Sequence, residues 1–183
     1  METPVEKGMT ILEGMKELKL IEKKILDNNT QIQRLSSQPS NEKPYMVEGA
    51  EAQRKKIREL TQSNTDLTKR YLEINSRINY TNLFTTVEIE GVKYTLNDLL
   101  QFRRKLSRMN EAGFAAMNDN NYNKEAIGKA RAGGYSADVV IERYYDETYK
   151  QHNLETWQTF YHNIDSRLEV KNATTELLEL PTG

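Results

Sequence analysis

Residues 10–82 read TILEGMKELKLIEKKILDNNTQIQRLSSQPSNEKPYMVEGAEAQRKKIRELTQSNTDLTKRYLEINSRINYTN, and this stretch decides the fold. Its first half keeps Ile11, Leu18, Ile25 and Ile32 on a seven-residue spacing, with Gly14, Ile21, Asn28 and Leu35 on a second register. In its second half, Ile57, Asn64, Tyr71 and Ile78 alternate with Leu60, Leu67, Ile74 and Thr81. A stripe with this period is a coiled-coil seam, because a slightly underwound helix keeps such positions facing one partner along its length. Between the halves stand Ser36, Ser37, Pro39, Ser40 and Pro44, a polar segment that cannot continue a helix.

The two stripes mirror each other, which predicts an antiparallel hairpin. One register satisfies the whole pattern: Leu35 faces Ile57, Ile32 faces Leu60, Ile25 faces Leu67 and Ile21 faces Tyr71. It also sets Asn28 against Asn64. A buried amide pair weakens a seam, yet it penalises every slipped register by leaving each amide against hydrocarbon. The expected helices run from Met9 or Thr10 to Ser36 and from Val47 to Asn82, each roughly 40 to 50 Å long at about 1.5 Å per residue.

After Asn82 the period changes. Val87, Ile89, Val92 and Tyr94 alternate around Glu90 and Gly91, which reads as a two-strand hairpin. Thr95 and Asp98 resemble a capping box that opens a third helix reaching Asn118, with Leu99, Leu106, Met109 and Met117 as its expected buried face. Residues 118–136, rich in Asn and Gly, predict a long loop with one helical turn around 125–130. Val139, Val140, Ile141, Tyr144 and Tyr145 predict a third strand over residues 138–145. A last helix is expected from Glu147 to Lys171, where Leu154, Trp157, Tyr161, Ile164 and Leu168 repeat the heptad spacing and let it lie against the first two.

These elements imply a mainly α fold with a small antiparallel β element. The long hairpin packs with the C-terminal helix. The expected layout is one elongated domain over 1–183, with a hairpin arm at 9–82, a hairpin–helix–strand section at 83–146 and the closing helix at 147–175. At 183 residues the chain suits a single domain with a projecting arm. The 37% hydrophobic content and mean hydropathy of -0.80 suit long helices with narrow apolar stripes.

Bulk properties exclude some chemistry. The net charge of -1 gives no general attraction for nucleic acid or an anionic membrane. No cysteine is present, so disulfides and thiol nucleophiles are ruled out. No apolar run has the length of a bilayer span or a secretion signal. The expected location is cytoplasmic, or within a virion for a phage-encoded chain.

SRINYTN at residues 76–82 is echoed by SRLEVKN at 166–172, and a Thr pair follows each, Thr85 with Thr86 and Thr174 with Thr175. Both copies close a long helix. A duplicated helix stop accounts for them, because Asn tolerates the left-handed conformation and Thr favours extended chain. The second reading is a ligand cluster formed by Asn82, Thr85, Asn172 and Thr174.

The segments INYTN at 78–82, TLNDLLQFRRKLSRM at 95–109 and NATTEL at 172–177 resemble, in order along nearly the whole chain, the septicolysin-like bacterial proteins, an uncharacterised family. The resemblance implies a long helical hairpin, a short β-hairpin and a closing helix, with relatives among phage genes. It brings no catalytic residues. The family label implies a cytolysin, yet the chain has one Trp and no amphipathic insertion segment.

Other constellations point away from catalysis. His152 and His162 stand almost three turns apart on one helix, too far to chelate one metal. GKARAGGY at 128–135 lacks the spacing and GK[ST] ending of a phosphate loop. Arg54, Lys55, Lys56 and Arg58 are diluted by Glu51 and Glu59, and Arg103, Arg104 and Lys105 form a second basic group. Tyr144, Tyr145 and Tyr149 are candidate interface residues, since tyrosine is favoured where proteins meet. No catalytic, cofactor or metal site is expected. The sequence reading is a non-enzymatic structural protein that forms homo-oligomers or joins other structural proteins, with no membrane and nucleic acid disfavoured as partners. The alternative is a small-ligand or metal-dependent enzyme near the two Asn and Thr helix ends.

Overall fold

A computed structural model describes residues 8–118 and 142–181. The helix α1 spans Ile11–Ser36 and α2 spans Ala50–Phe84. Strands β1 (Thr86–Ile89) and β2 (Val92–Thr95) follow, then α3 (Leu96–Gln101), a π-helical turn (Phe102–Leu106), α4 (Ser107–Ala115) and α5 (Glu147–Thr174). The fold is mainly helical with a small antiparallel β element, as the periodicity implies. The described residues fall into two compact units: residues 8–97 with 169–181, and the stretch 98–118 with 142–168.

In the first unit α1 and α2 pair antiparallel. The start of α1 is sharp because the Thr10 hydroxyl accepts from the Glu13 amide while the Glu13 carboxylate accepts from the Thr10 amide at 2.8 Å, a complete capping box. At the far end Gln53, buried on α2, replaces a cap. Its amide donates to the Leu35 carbonyl at 2.7 Å and its oxygen accepts from the Tyr45 amide at 3.0 Å. One side chain therefore ties the last turn of α1, the connecting turn and the first turn of α2 together. That connection runs longer than expected, since α2 begins at Ala50 after Gly49, whose φ of 95° favours glycine.

The register is the expected one. Asn28 donates to Asn64 at 2.8 Å, Tyr71 reaches Glu22 at 3.1 Å and Arg70 reaches Glu17 at 3.0 Å. Burial along the seam is uneven. Ile11, Gly14, Ile21, Leu60, Ile74, Ile78 and Thr81 are buried, whereas Leu18, Ile25, Ile32, Leu35, Ile57 and Leu67 are only half-buried. Two helices alone cover a seam from one direction, so its middle stays partly open to solvent.

Closure at the base comes from the C-terminal tail. Leu177 donates to the Met9 carbonyl at 2.8 Å and Ile11 donates to the Thr175 carbonyl at 2.9 Å, a single antiparallel bridge around Thr10 and Glu176. Leu177 then packs on Gly14 and is itself buried. A Cβ at Gly14 would stand 3.1 Å from the Leu177 Cδ1 and 3.3 Å from the Ile78 Cδ1, so the small residue admits the tail.

The β-hairpin turns through Glu90 (φ 52°) and Gly91 (φ 79°), the two left-handed residues of a type I′ turn. It faces Val87 and Ile89 inward. The expected third strand is not formed over its described part, because residues 142–145 are irregular and Tyr144 is 91% exposed. Aromatic bias alone cannot make a strand without a ladder partner. Residues 138–141 of that strand, the loop at 119–136 and its helical turn lie outside the described residues.

In the second unit the third helix carries a correction. It starts at Leu96 as expected, but the π-helical turn places one extra residue in its path, where the Ser107 amide bonds to the Phe102 carbonyl. Every later residue is rotated by about 100° relative to a regular helix. Ser107 is accordingly 2% exposed and the expected core residue Met109 is 65% exposed. Leu106 and Met117 are half-buried. The wide turn brings Phe102 against Trp157 and Phe160 of α5, with centroids 6.5 and 5.4 Å away, and Arg103 pairs with Asp165 at 2.9 Å. Helix α5 shows its heptad stripe in burial, with Ile164 and Leu168 buried and Leu154, Trp157 and Tyr161 half-buried. From Glu169 its last turns belong to the hairpin's unit.

Candidate functional site

Three places collect the residues singled out by sequence: the two helix ends, the hairpin seam and the segment around Tyr144. At the helix ends, the Thr residues close helices. Thr85 follows α2 and donates its amide to the Thr81 carbonyl at 2.9 Å, while its own carbonyl accepts from Leu96. Thr175 follows α5 and donates to the Lys171 carbonyl at 2.8 Å, while its carbonyl accepts from Ile11. The near-repeat thus performs one local task twice: each helix stops and hands its chain to an antiparallel pairing. Thr174 points its hydroxyl back to the Val170 carbonyl at 2.9 Å, within its own helix. Asn82 is buried and Asn172 half-buried.

Among the described residues no group of three or more His, Cys, Asp or Glu side chains stands close enough to hold a metal ion. His152 and His162 are both exposed, and the His162 ring meets Tyr161 edge-on at 6.0 Å. GKARAGGY lies outside the described residues.

The seam centre is a polar ladder. Asn28 donates to the Asn64 oxygen and, at 3.4 Å, to the Ser63 hydroxyl. Asn64 donates in turn to the Asn29 oxygen at 2.9 Å. Flanking charge is concentrated on Arg70, which joins Glu17 and Glu73 and is raised above its ordinary value, first by the Glu17 hydrogen bond. The hydrogen bond from Tyr71 to Glu22, and then the carboxylate's charge, push the phenol upward.

Of the candidate interface tyrosines, Tyr144 and Tyr149 are exposed, and Tyr149 meets Phe114 edge-on at 6.0 Å. Tyr145 is half-buried and stacks under Lys150 at 5.6 Å. In the first basic group, Arg54 and Arg58 both bind Glu51, at 3.3 and 3.2 Å. Opposite charges interleave on that surface.

Sequence reading passed over Gln53, the Thr10–Glu13 cap and the tail from Thr175. The cap had a signal, the spacing T-x-x-E ahead of an apolar run. Gln53 had none, since a glutamine in a polar stretch reads as solvent-facing. Comparison with family models, with curated proteins and with solved structures finds no match for this chain. No helix among the described residues is long and apolar enough to cross a membrane.

Proposed function

We propose that this chain is a non-enzymatic structural or assembly protein that works by helix packing and forms a homo-oligomer. One observation carries the reading: Asn28 and Asn64 hydrogen-bond across the hairpin, yet much of its apolar seam stays half-buried. A rod with an unfinished apolar seam is stabilised further when more helices cover it. Register specificity of this kind serves shape, and shape is what a building block contributes. The aromatic segment at Tyr144 and Tyr149 offers a second surface for attachment.

Within this reading the chain acts in the cytoplasm or, if phage-encoded, as a virion component, in keeping with its resemblance to the septicolysin-like proteins. Sedimentation equilibrium of the full chain tests the oligomeric reading. A defined multimer is the expected result. A monomer at every concentration sinks it. Detection of the chain in purified particles would test the virion assignment.

A further inference from the structure

Beside the seam, α2 carries a second seven-residue stripe. Lys56, Ser63 and Arg70 hold one of its registers and Glu59, Asp66 and Glu73 hold the other. Four of these line a shallow open groove along the helix, together with Gln62 and Leu67. The acids and Ser63 are exposed, while Lys56, Leu67 and Arg70 are half-buried. Among the described residues, Lys56 and Glu59 have no ion-pair partner. The surface is charged, ordered and uncovered.

We propose that this stripe is the contact surface for a second copy of the chain, with two α2 helices antiparallel about a twofold axis between Asn64 and Thr65; the proposal rests on the oligomeric reading above. A twofold contact uses the same patch on both subunits, so the patch must complement itself on reversal. This one does. Reversal sets Lys56 on Glu73 of the second copy, Glu59 on Arg70 and Ser63 on Asp66, and each pair occurs twice. Leu67 meets the stem of Gln62 near the centre. A parallel contact in the same register would instead oppose each charge to its own kind. Arg70 can serve both sides, since Nε is used for Glu17 and Nη1 for Glu73, and a guanidinium has five N–H donors. Exposed ion pairs are individually weak and screened by salt, so the contact is salt-sensitive.

The test is sedimentation velocity of the full chain, with far-ultraviolet circular dichroism to check that each variant folds. The wild-type dimer should weaken roughly tenfold between about 50 and about 500 mM salt. Lys56→Glu and Glu73→Lys should each weaken it by about tenfold or more, and the double swap should restore it, because only this register joins residues 56 and 73. Undiminished dimers in both single variants, or no recovery in the double variant, overturn this surface and leave the oligomeric reading standing. A monomeric wild type overturns both. A second measurement does not depend on the charge variants. Since the chain has no cysteine, Ser63→Cys supplies a sole thiol near the axis. A short bis-maleimide should join two copies through it and not through Lys23→Cys on α1. Equal yields from the two sites also overturn the surface.

Discussion

The buried Thr81 hydroxyl accepts a hydrogen bond from the Leu178 amide at 2.9 Å, across 97 residues of sequence, while donating to the Arg77 carbonyl one turn back. Arg77 extends the same junction, donating to the Leu177 and Leu178 carbonyls at 3.0 and 3.2 Å and pairing with Glu179 at 2.8 Å. A seam position thereby becomes the anchor of the C-terminal tail.

Thr81→Val keeps the shape and removes the acceptor, leaving the Leu178 amide unpaired, so it should cost about 1 to 3 kcal/mol. Thr81→Ser should recover most of that. Urea denaturation measures the loss, and faster amide exchange at Leu178 in the Val variant locates it. Unchanged exchange would place the tail's anchor elsewhere.

Replacing Asn28 and Asn64 together with Leu should raise stability by about 1 kcal/mol, a shift of roughly 2 to 4 °C in Tm for a chain of this size, while loosening register. Asn64→Leu alone should lower stability, since it removes the hydrogen bonds to Asn28 and Asn29 while both amides remain. Thermal unfolding of the three variants checks the order. A double variant less stable than wild type contradicts the pairing as a cost to the seam.

Leu60 and Leu67 hold the same seam register, but Leu60 is 6% exposed and Leu67 half-buried. Leu60→Ala should cost about 2 to 5 kcal/mol and Leu67→Ala about 1 to 2, in proportion to the apolar surface lost. Chemical denaturation of the pair reads the difference. If oligomerisation covers the mid-seam, the Leu67→Ala cost should grow with protein concentration.

Tyr71 provides a pH test. Its hydrogen bond to Glu22 raises the phenol's folded value above that of the unfolded chain. The associated stabilisation is complete below the ordinary tyrosine range and is lost as pH rises through the raised value. Ultraviolet titration should show a late phenol that is lost in Tyr71→Phe and moves to lower pH in Glu22→Gln.

A regular third helix puts Met109 inside, but a single extra residue in the Phe102–Leu106 turn rotates everything beyond it. Such a turn is selected by the contacts of Phe102 with Trp157 and Phe160, more than fifty residues away, and leaves no local mark. The tyrosines at 144 and 145 have strand-forming side chains, yet strand formation requires a neighbour to complete the ladder. By contrast, the Glu90–Gly91 turn was legible, because Gly91 accepts left-handed backbone without steric cost and stands between two alternating apolar runs. The near-repeat marks where two helices end, but Asn82 and Asn172 both lie inside them without left-handed backbone, and the stops fall at Thr85 and Thr175. What each stopped helix then pairs with was not legible.

Sequence by itself determined the antiparallel pairing of α1 and α2 and its register, because a seven-residue apolar period and one amide pair leave a single alignment that matches both. Tertiary structure alone decided how deeply that seam is buried. The tail from Thr175 seals its base through Gly14, Arg77 and Thr81, and no local pattern encodes a contact between residues nearly a hundred positions apart. Periodicity states which face seeks cover. Only the folded chain settles where the cover comes from and how far along the rod it reaches.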